Sequence, residues 1–244
     1  MAENSMRALV FWDIDLTLLD LRRIGASWFR TALTEVTGEQ ITDIPSFAGR
    51  TDRWITAEML RRIGRAATDA EIEQVQQAVI ALAAEHRAEI TEVGLELPGV
   101  SAALSAIAAR PDVAQSLVTG NLAPIAEYKV AAFGLDVYLD LGIGGYGAVS
   151  EVRADLLGDA LAKARAKYGE FAPDSVFVIG DTPHDIDAAL AHKARAVAVA
   201  TGRFSQDELR AAGAHTVLPD LADTQAVLRL LGDHSQSTKD QLRS

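Results

Sequence analysis

The chain contains no cysteine. That excludes disulfides, thiolate metal sites and a cysteine nucleophile, and it is compatible with a reducing compartment. A basic surplus is also missing. Lys+Arg number 23 against 34 Asp+Glu, a formal net charge of −11 over 244 residues. Nucleic-acid binding rests on many Lys/Arg–phosphate contacts, so an acidic chain is a poor candidate for it. Long apolar runs are absent as well. Arg7–Trp12 and Ser175–Gly180 are strand-sized and far short of a membrane span. The first residues show no basic stretch leading into an apolar one, so no signal peptide is expected. These absences describe a soluble, cytoplasmic protein without nucleic-acid or membrane partners. Its oligomeric state is left open.

What is present is an alternation of short apolar runs with longer Ala/Leu-rich helical patterns. The spacing predicts strands over Ala8–Trp12, Ala114–Val118, Ser175–Ile179, Ala196–Ala200 and His215–Leu218. Helices are predicted over Leu122–Phe133, Asp155–Tyr168, His184–His192 and Gln206–Ala212. This rhythm implies crossover connections and a doubly wound parallel α/β sheet. Near-continuous apolar strands fit a sheet covered on both faces. One stretch breaks the rhythm. From Leu18 to Pro98 the signals are helical, over Arg23–Val36, Arg53–Ile63 and Asp69–Ile90, with no convincing strand. Thr68 followed by Asp69 and Glu71 marks a helix entry. The expected organisation is an α/β core of residues 1–17 and 99–232, a helical insert at 18–98 and a disordered polar tail at 233–244.

Three clusters carry chemistry. The first strand runs into Asp13-Ile14-Asp15-Leu16-Thr17. Two carboxylates this close repel unless a cation or a shared proton intervenes. In an open α/β sheet the carboxyl edge of the strands is where ligands bind. A calcium loop would need Gly and Glu where Leu18 and Ile24 stand. The second cluster is Thr119-Gly120-Asn121, a hydroxyl and free backbone N–H groups at a strand-to-helix turn, which suits phosphate oxygens. The third is Gly180-Asp181-Thr182-Pro183-His184-Asp185, with two acids four apart at a helix entry. Each is readable alone as a turn or cap. All three at strand ends that converge on one crevice make a site.

Together these segments resemble the haloacid dehalogenase superfamily in its phosphatase branch. DIDLT is similar to its first motif, LVTGN to its second and VIGDTPHDID to its fourth. The helical insert is similar to its cap. The resemblance implies a Rossmann-like core and a Mg²⁺-dependent phosphatase of a small phosphorylated metabolite. It implies Asp13 as nucleophile forming an aspartyl-phosphate and Asp15 as acid and base. It implies Mg²⁺ held by Asp13, the Asp15 main-chain oxygen and Asp181, with Asp185 on its waters. Thr17, Thr119, Gly120 and Asn121 would surround the phosphoryl group.

The chain departs from the family at two places. Leu16 stands where Gly is usual. The third-motif Lys is replaced by Arg153, with Lys129 as the competing cation or else a solvated helix residue. Keeping Asp15 argues against dehalogenation, because halide leaves without a proton. No Lys precedes Lys129, so the insert cannot supply a Schiff-base lysine. A phosphomutase of the β-phosphoglucomutase type is the alternative. A non-catalytic metabolite-binding protein is the remaining one, and it should have lost an Asp. Arg50, in the loop Phe47–Asp52, is expected to recognise an anionic leaving group, unless it only pairs with Asp52. Trp28 and Trp54 are expected in the core of the insert. Gly142–Gly147 formally matches a dinucleotide fingerprint. It lies mid-chain without a helix directly after it, so it is read as a flexible loop near the catalytic edge. No histidine pair has metal-ligand spacing, and His184 is assigned to capping or surface duty.

Overall fold

The computed structural model of the chain describes residues 6–21 and 24–232. The expected tail at 233–244 lies outside them. Five parallel strands form the central sheet: β1 (Ala8–Trp12), β4 (Val113–Leu117), β5 (Val176–Gly180), β6 (Arg195–Val199) and β7 (Thr216–Leu218), in the order β4-β1-β5-β6-β7. The doubly wound α/β class read from the sequence is the observed one. The strand predictions fall within one residue of the observed boundaries.

All five residues of β1 are buried, because helices cover both faces of the sheet. Its side chains alternate between two cores. Ala8, Val10 and Trp12 join one cluster, and Leu9 and Phe11 the other. Burying a side chain of this size contributes about 1.5–3 kcal/mol. The Trp12 Nε1–H donates to Gln115 Oε1 at 3.2 Å, and Gln115 Nε2 donates to the Leu104 carbonyl at 2.9 Å, so the polar atoms are satisfied. The ladder runs past the strand ends. Asp13 N–H donates to the Ile179 carbonyl at 2.9 Å, and Val118 N–H to the Trp12 carbonyl at 2.9 Å. This register brings Asp13, Thr119 and Asp181 to one edge.

The insert holds α1 (Ile24–Thr37), α2 (Asp52–Arg62), α3 (Asp69–Glu85) and α4 (Arg87–Val93). The expected single helix over Asp69–Ile90 is corrected: it breaks at His86, whose backbone leaves the helical region (φ −97°, ψ 23°). The predicted capping box at Thr68 and Glu71 is formed. The expectation of no strand in this stretch is also corrected. The two-residue strands β2 (Leu19–Asp20) and β3 (Leu95–Glu96) pair antiparallel where the insert leaves and rejoins the core. They are too short to show a period of two. Two core helices, α5 (Val100–Ala108) and α10 (Thr224–Leu230), went unread because their apolar positions lie in Ala-rich or polar surroundings. The other core helices are α6 (Ala123–Ala132), α7 (Arg153–Tyr168), α8 (Pro183–Ala191) and α9 (Gln206–Ala211). Trp28 and Phe29 of the insert share a cluster with Val10 and Trp12, so the insert is packed into the same core. Trp28 is buried as expected, and Trp54 is partly buried against that cluster.

Candidate active site

Asp13 leaves β1 at the carboxyl edge and is 5% exposed. The chain then turns sharply. Leu16 takes φ 62°, the left-handed region where Gly carries no penalty. The family's usual glycine is therefore replaced at a position that needs glycine geometry. Two bonds hold Leu16 there: its N–H donates to the Leu19 carbonyl at 2.8 Å, and Thr201 Oγ1 donates to its carbonyl at 2.5 Å. Thr17, directly after, is fully buried, and its hydroxyl oxygen has no partner.

The fourth-motif carboxylates arrive from β5 and α8. Asp185 Oδ2 closes a capping box at Thr182, accepting from its N–H at 3.0 Å and from its Oγ1 at 2.7 Å. Asp181 Oδ1 is buried with no hydrogen-bond partner. Gly202 permits this placement, since a Cβ there would lie 1.7 Å from Asp181 Oδ2. One carboxylate oxygen each from Asp13, Asp181 and Asp185 lie within 4.8 Å of one another. The Asp15 side chain is not part of that group, and Asp185 contributes an oxygen directly.

Arg153 opens α7, two residues before the predicted start of that helix, and is 7% exposed. Its Nη2 lies 2.8 Å from Asp13 Oδ1 and 2.5 Å from Asp185 Oδ1. Lys129 is 4% exposed, which overturns the solvated-face alternative. Its Nζ donates to Asp15 Oδ1 and Oδ2 at 2.7 and 2.8 Å and to Asn121 Oδ1 at 2.7 Å. Asn121 Nδ2 in turn donates to Asp15 Oδ2 and to Thr119 Oγ1, both at 2.7 Å. The two candidate cations therefore serve different carboxylates, Arg153 the first Asp and Lys129 the second.

The electrostatics are dominated by burial. Desolvation pushes Asp13 up to about 6, against the pull of Arg153. Desolvation pushes Asp181 up to about 8, with Asp13 and Asp185 adding to the rise. Burial, with Arg50 and Arg153 nearby, holds His184 below the usual histidine value. Arg153 is held firmly protonated by Asp185 and Asp13 despite its burial. One guanidinium pairs with two of the three clustered carboxylates, Asp13 and Asp185, which leaves uncompensated negative charge in the cluster. An all-oxygen set with an orphaned buried oxygen fits a hard divalent cation such as Mg²⁺.

The insert reaches this edge through the loop before α2. Asp52 N–H donates to the Gly120 carbonyl at 2.7 Å, and Arg53 N–H to the Gly147 carbonyl at 2.9 Å. Such close approach needs glycine on the core side. A Cβ at Gly120 would lie 2.0 Å from the Arg50 carbonyl oxygen. One at Gly147 would lie 1.7 Å from the Gly120 oxygen and 2.9 Å from Asp52 N. Gly147→Ala should thus separate insert and core. The expected cost is on the order of 1–3 kcal/mol, read as a lower thermal midpoint; an unchanged midpoint contradicts the close contact. The Gly142–Gly147 segment lies beside the end of β4 and Thr119. It is not a free loop, since Gly145 N–H donates to Leu117, Thr119 N–H to Gly145 and Gly147 N–H to Asn121.

Arg50 stacks over the Trp54 ring at 4.4 Å, while Asp52 accepts the Leu122 N–H at 2.8 Å. Arg50 is therefore not tied up by Asp52. An exposed two-pronged pair, Arg61 with Glu151 at 3.1 and 3.2 Å, bridges the same halves. Asp52, Thr201 and Gly202 were not legible as site residues, because each is placed by contacts between segments distant in sequence.

The family model for haloacid dehalogenase-like hydrolases matches residues 10–190, which span the first and fourth motifs and the insert between them. The chain belongs to the haloacid dehalogenase-like hydrolases. A solved hydrolase of this fold from Pseudomonas syringae aligns over 93% of this chain and 100% of its own, with TM-score 0.67 and 22% identity. A predicted phosphoglycolate phosphatase from Haemophilus somnus aligns over 92% and 99%, with TM-score 0.62 and 18% identity. A provisionally assigned β-phosphoglucomutase from Bacteroides vulgatus aligns over 94% and 92%, with TM-score 0.65 and 20% identity. Among curated proteins, tyrosine-protein kinase PtkA of Mycobacterium tuberculosis is 26% identical over 80% of this chain. The chain spans 62% of that relative's length. Family membership makes the chain a hydrolase-type enzyme. No described helix is long and apolar enough to cross a membrane.

Proposed function

We propose that this haloacid dehalogenase-like hydrolase is a Mg²⁺-dependent phosphatase of a small phosphorylated metabolite. Residues 18–98 act as its cap over the core of 1–17 and 99–232. One observation carries the reading: the buried Asp13 carboxylate meets Arg153 at 2.8 Å and shares a 4.8 Å cluster with Asp181 and Asp185, while Asp15 waits two residues away.

In the proposed reaction an Asp13 oxygen attacks phosphorus and the ester oxygen departs, leaving an aspartyl-phosphate. Asp15 delivers a proton to the departing oxygen, then takes one from the water that hydrolyses the acyl phosphate. It must be protonated for the first of these steps, so Lys129 has to yield part of its contact when substrate arrives. Arg153, Thr17, Thr119 and the backbone N–H groups at Gly120 and Asn121 are placed to bind the transferring oxygens. Mg²⁺, held by Asp13, Asp181, Asp185 and the Asp15 main-chain oxygen, would offset repulsion between carboxylates and a phosphate dianion. Turnover across a panel of phosphate monoesters, with Mg²⁺ and with EDTA, tests the reading. Hydrolysis that persists in EDTA contradicts it.

The bonds of Asp52 and Arg53 with Gly120 and Gly147 bring the insert onto the core edge, with the Asp15 side chain still 46% exposed, and on those bonds a second reading rests. A cap that excludes water would suit a phosphomutase, in which a sugar phosphate takes the place of water. Conversion of a hexose 1-phosphate to the 6-phosphate without net phosphate release would move the assignment there. The kinase activity of the mycobacterial relatives is not carried over, because the chain spans only 62% of their length at 26% identity.

Arg50 is proposed to recognise a charged leaving group beside His184. Arg50→Ala should raise KM for the best substrate about tenfold with kcat nearly unchanged, the loss of one charge-assisted hydrogen bond. Kinetics equal to the parent would remove Arg50 from recognition.

A further inference from the structure

Asp52 is buried at 5% exposure, yet among the described residues no cation lies within ion-pair reach of it. Its carboxylate accepts one backbone bond, from Leu122 N–H. Leu122 is the N-cap residue of α6, and its side chain can accept nothing, so the helix has no local cap. The insert instead supplies an acceptor for the N-cap residue's own N–H, the donor that a side chain at the third helical position, here Ile125, would serve in a capping box. It also places an anion at the positive end of the helix. Burial pushes Asp52 up to about 7, a cost that a mere surface cap would not carry.

Helix α6 is also the element that reaches Asp15. Lys129 lies two turns from Leu122, and Asn121 directly precedes it. Both side chains end on the Asp15 carboxylate. The contact made by Asp52 and the contacts made on Asp15 are therefore two ends of one rigid segment. The backbone bonds of Asp52 and Arg53 to Gly120 and Gly147 hold the same junction from the other side.

We infer that Asp52 is a positioning residue: by capping α6 from the insert, it sets Asn121 and Lys129 in register on Asp15 only when the cap is docked. Docking of the cap and assembly of the acid/base network are then a single event. This rests on the phosphatase reading for its kinetic consequence but not for its structural one. The acceptor is assigned the larger part, since the carboxylate makes a direct bond with Leu122 N–H and feels Lys129 only at longer range.

The test compares Asp52→Ala and Asp52→Asn with the parent, using p-nitrophenyl phosphate and Mg²⁺ together with amide hydrogen exchange. The Ala variant should lose about 30-fold or more in kcat, with KM changed less than about threefold, as expected for a misplaced catalytic group. Exchange at the Leu122 amide and the first turn of α6 should accelerate about tenfold or more, with α8 unaffected. The Asn variant, which keeps an oxygen acceptor, should recover both readouts to within about threefold. A folded Ala variant with parental kcat, or with parental Leu122 exchange, overturns the inference. So does an Asn variant as impaired as Ala. If the parent hydrolyses no phosphate monoester while the exchange pattern follows expectation, the phosphatase reading fails and the docking role stands.

Discussion

Asp13→Asn protein is expected to lose at least about 10³-fold in kcat on any phosphate monoester the parent hydrolyses. Removing a catalytic nucleophile outright has costs of this order or larger. Asn is nearly the same shape as Asp, so packing at the end of β1 should survive. It keeps an acceptor for Arg153 but cannot attack phosphorus. The variant should fold at least as well as the parent at pH 8, because it removes a carboxylate that burial has pushed up to about 6. Steady-state turnover, with mass spectrometry for a covalent phosphate on the parent, checks both halves. Activity within tenfold of the parent would end the nucleophile assignment. Label on a residue other than Asp13 would do the same.

The second large effect concerns stability and pH. Asp13, Asp52 and Asp181 have folded-state values pushed up to about 6, 7 and 8. A raised carboxylate holds a proton in the folded state that the unfolded chain has already released. The folded state therefore binds more protons between the unfolded value, 3.8, and the folded one, and stability falls as pH rises through that window. His184 runs the other way. Its folded value is lowered, so its contribution grows with pH, but only up to its ordinary value of 6.5. From there to pH 8.5 Asp52 and Asp181 carry the slope, Asp13 having largely titrated below it. Metal-free protein should lose on the order of 1–2 kcal/mol across that interval, a midpoint lower by roughly 2–8 °C. Mg²⁺ should reverse the slope, because it binds the deprotonated cluster and stabilises the folded state by mass action. Thermal unfolding in EDTA and in Mg²⁺ at both pH values decides this. A flat or rising midpoint in EDTA would show that Asp52 and Asp181 do not hold protons in the folded state over this interval.

Much of this site was readable because its motifs are local. Asp13, Asp181 and Thr119 each end an apolar run, and a parallel sheet with a common register brings such ends to one edge. The capping box at Thr68 was legible for the same reason, its partners lying three residues apart. Leu16 was legible only as an oddity. Its left-handed backbone and its bond from Thr201 depend on a loop 185 residues away in sequence. The short strands β2 and β3 escaped notice because two residues cannot display a period, and their pairing joins Leu19 to Glu96.

The two cations show the division most clearly. Sequence order offered Arg153 and Lys129 as rivals for one role. In the fold both are buried, one on Asp13 and one on Asp15. Asp52 entered only as a possible partner for Arg50, since an acid in the first turn of a helix is ordinary until its burial is known. Apolar strand-sized runs alternating with helical patterns, and carboxylates at strand ends, were enough to indicate an α/β sheet with an acidic edge and an insert without strand signals. How the insert meets that edge, which cation serves which carboxylate and which glycines must remain glycine were decided by packing. Those contacts join segments far apart along the chain, and their energies depend on burial, which exists only once the core has closed.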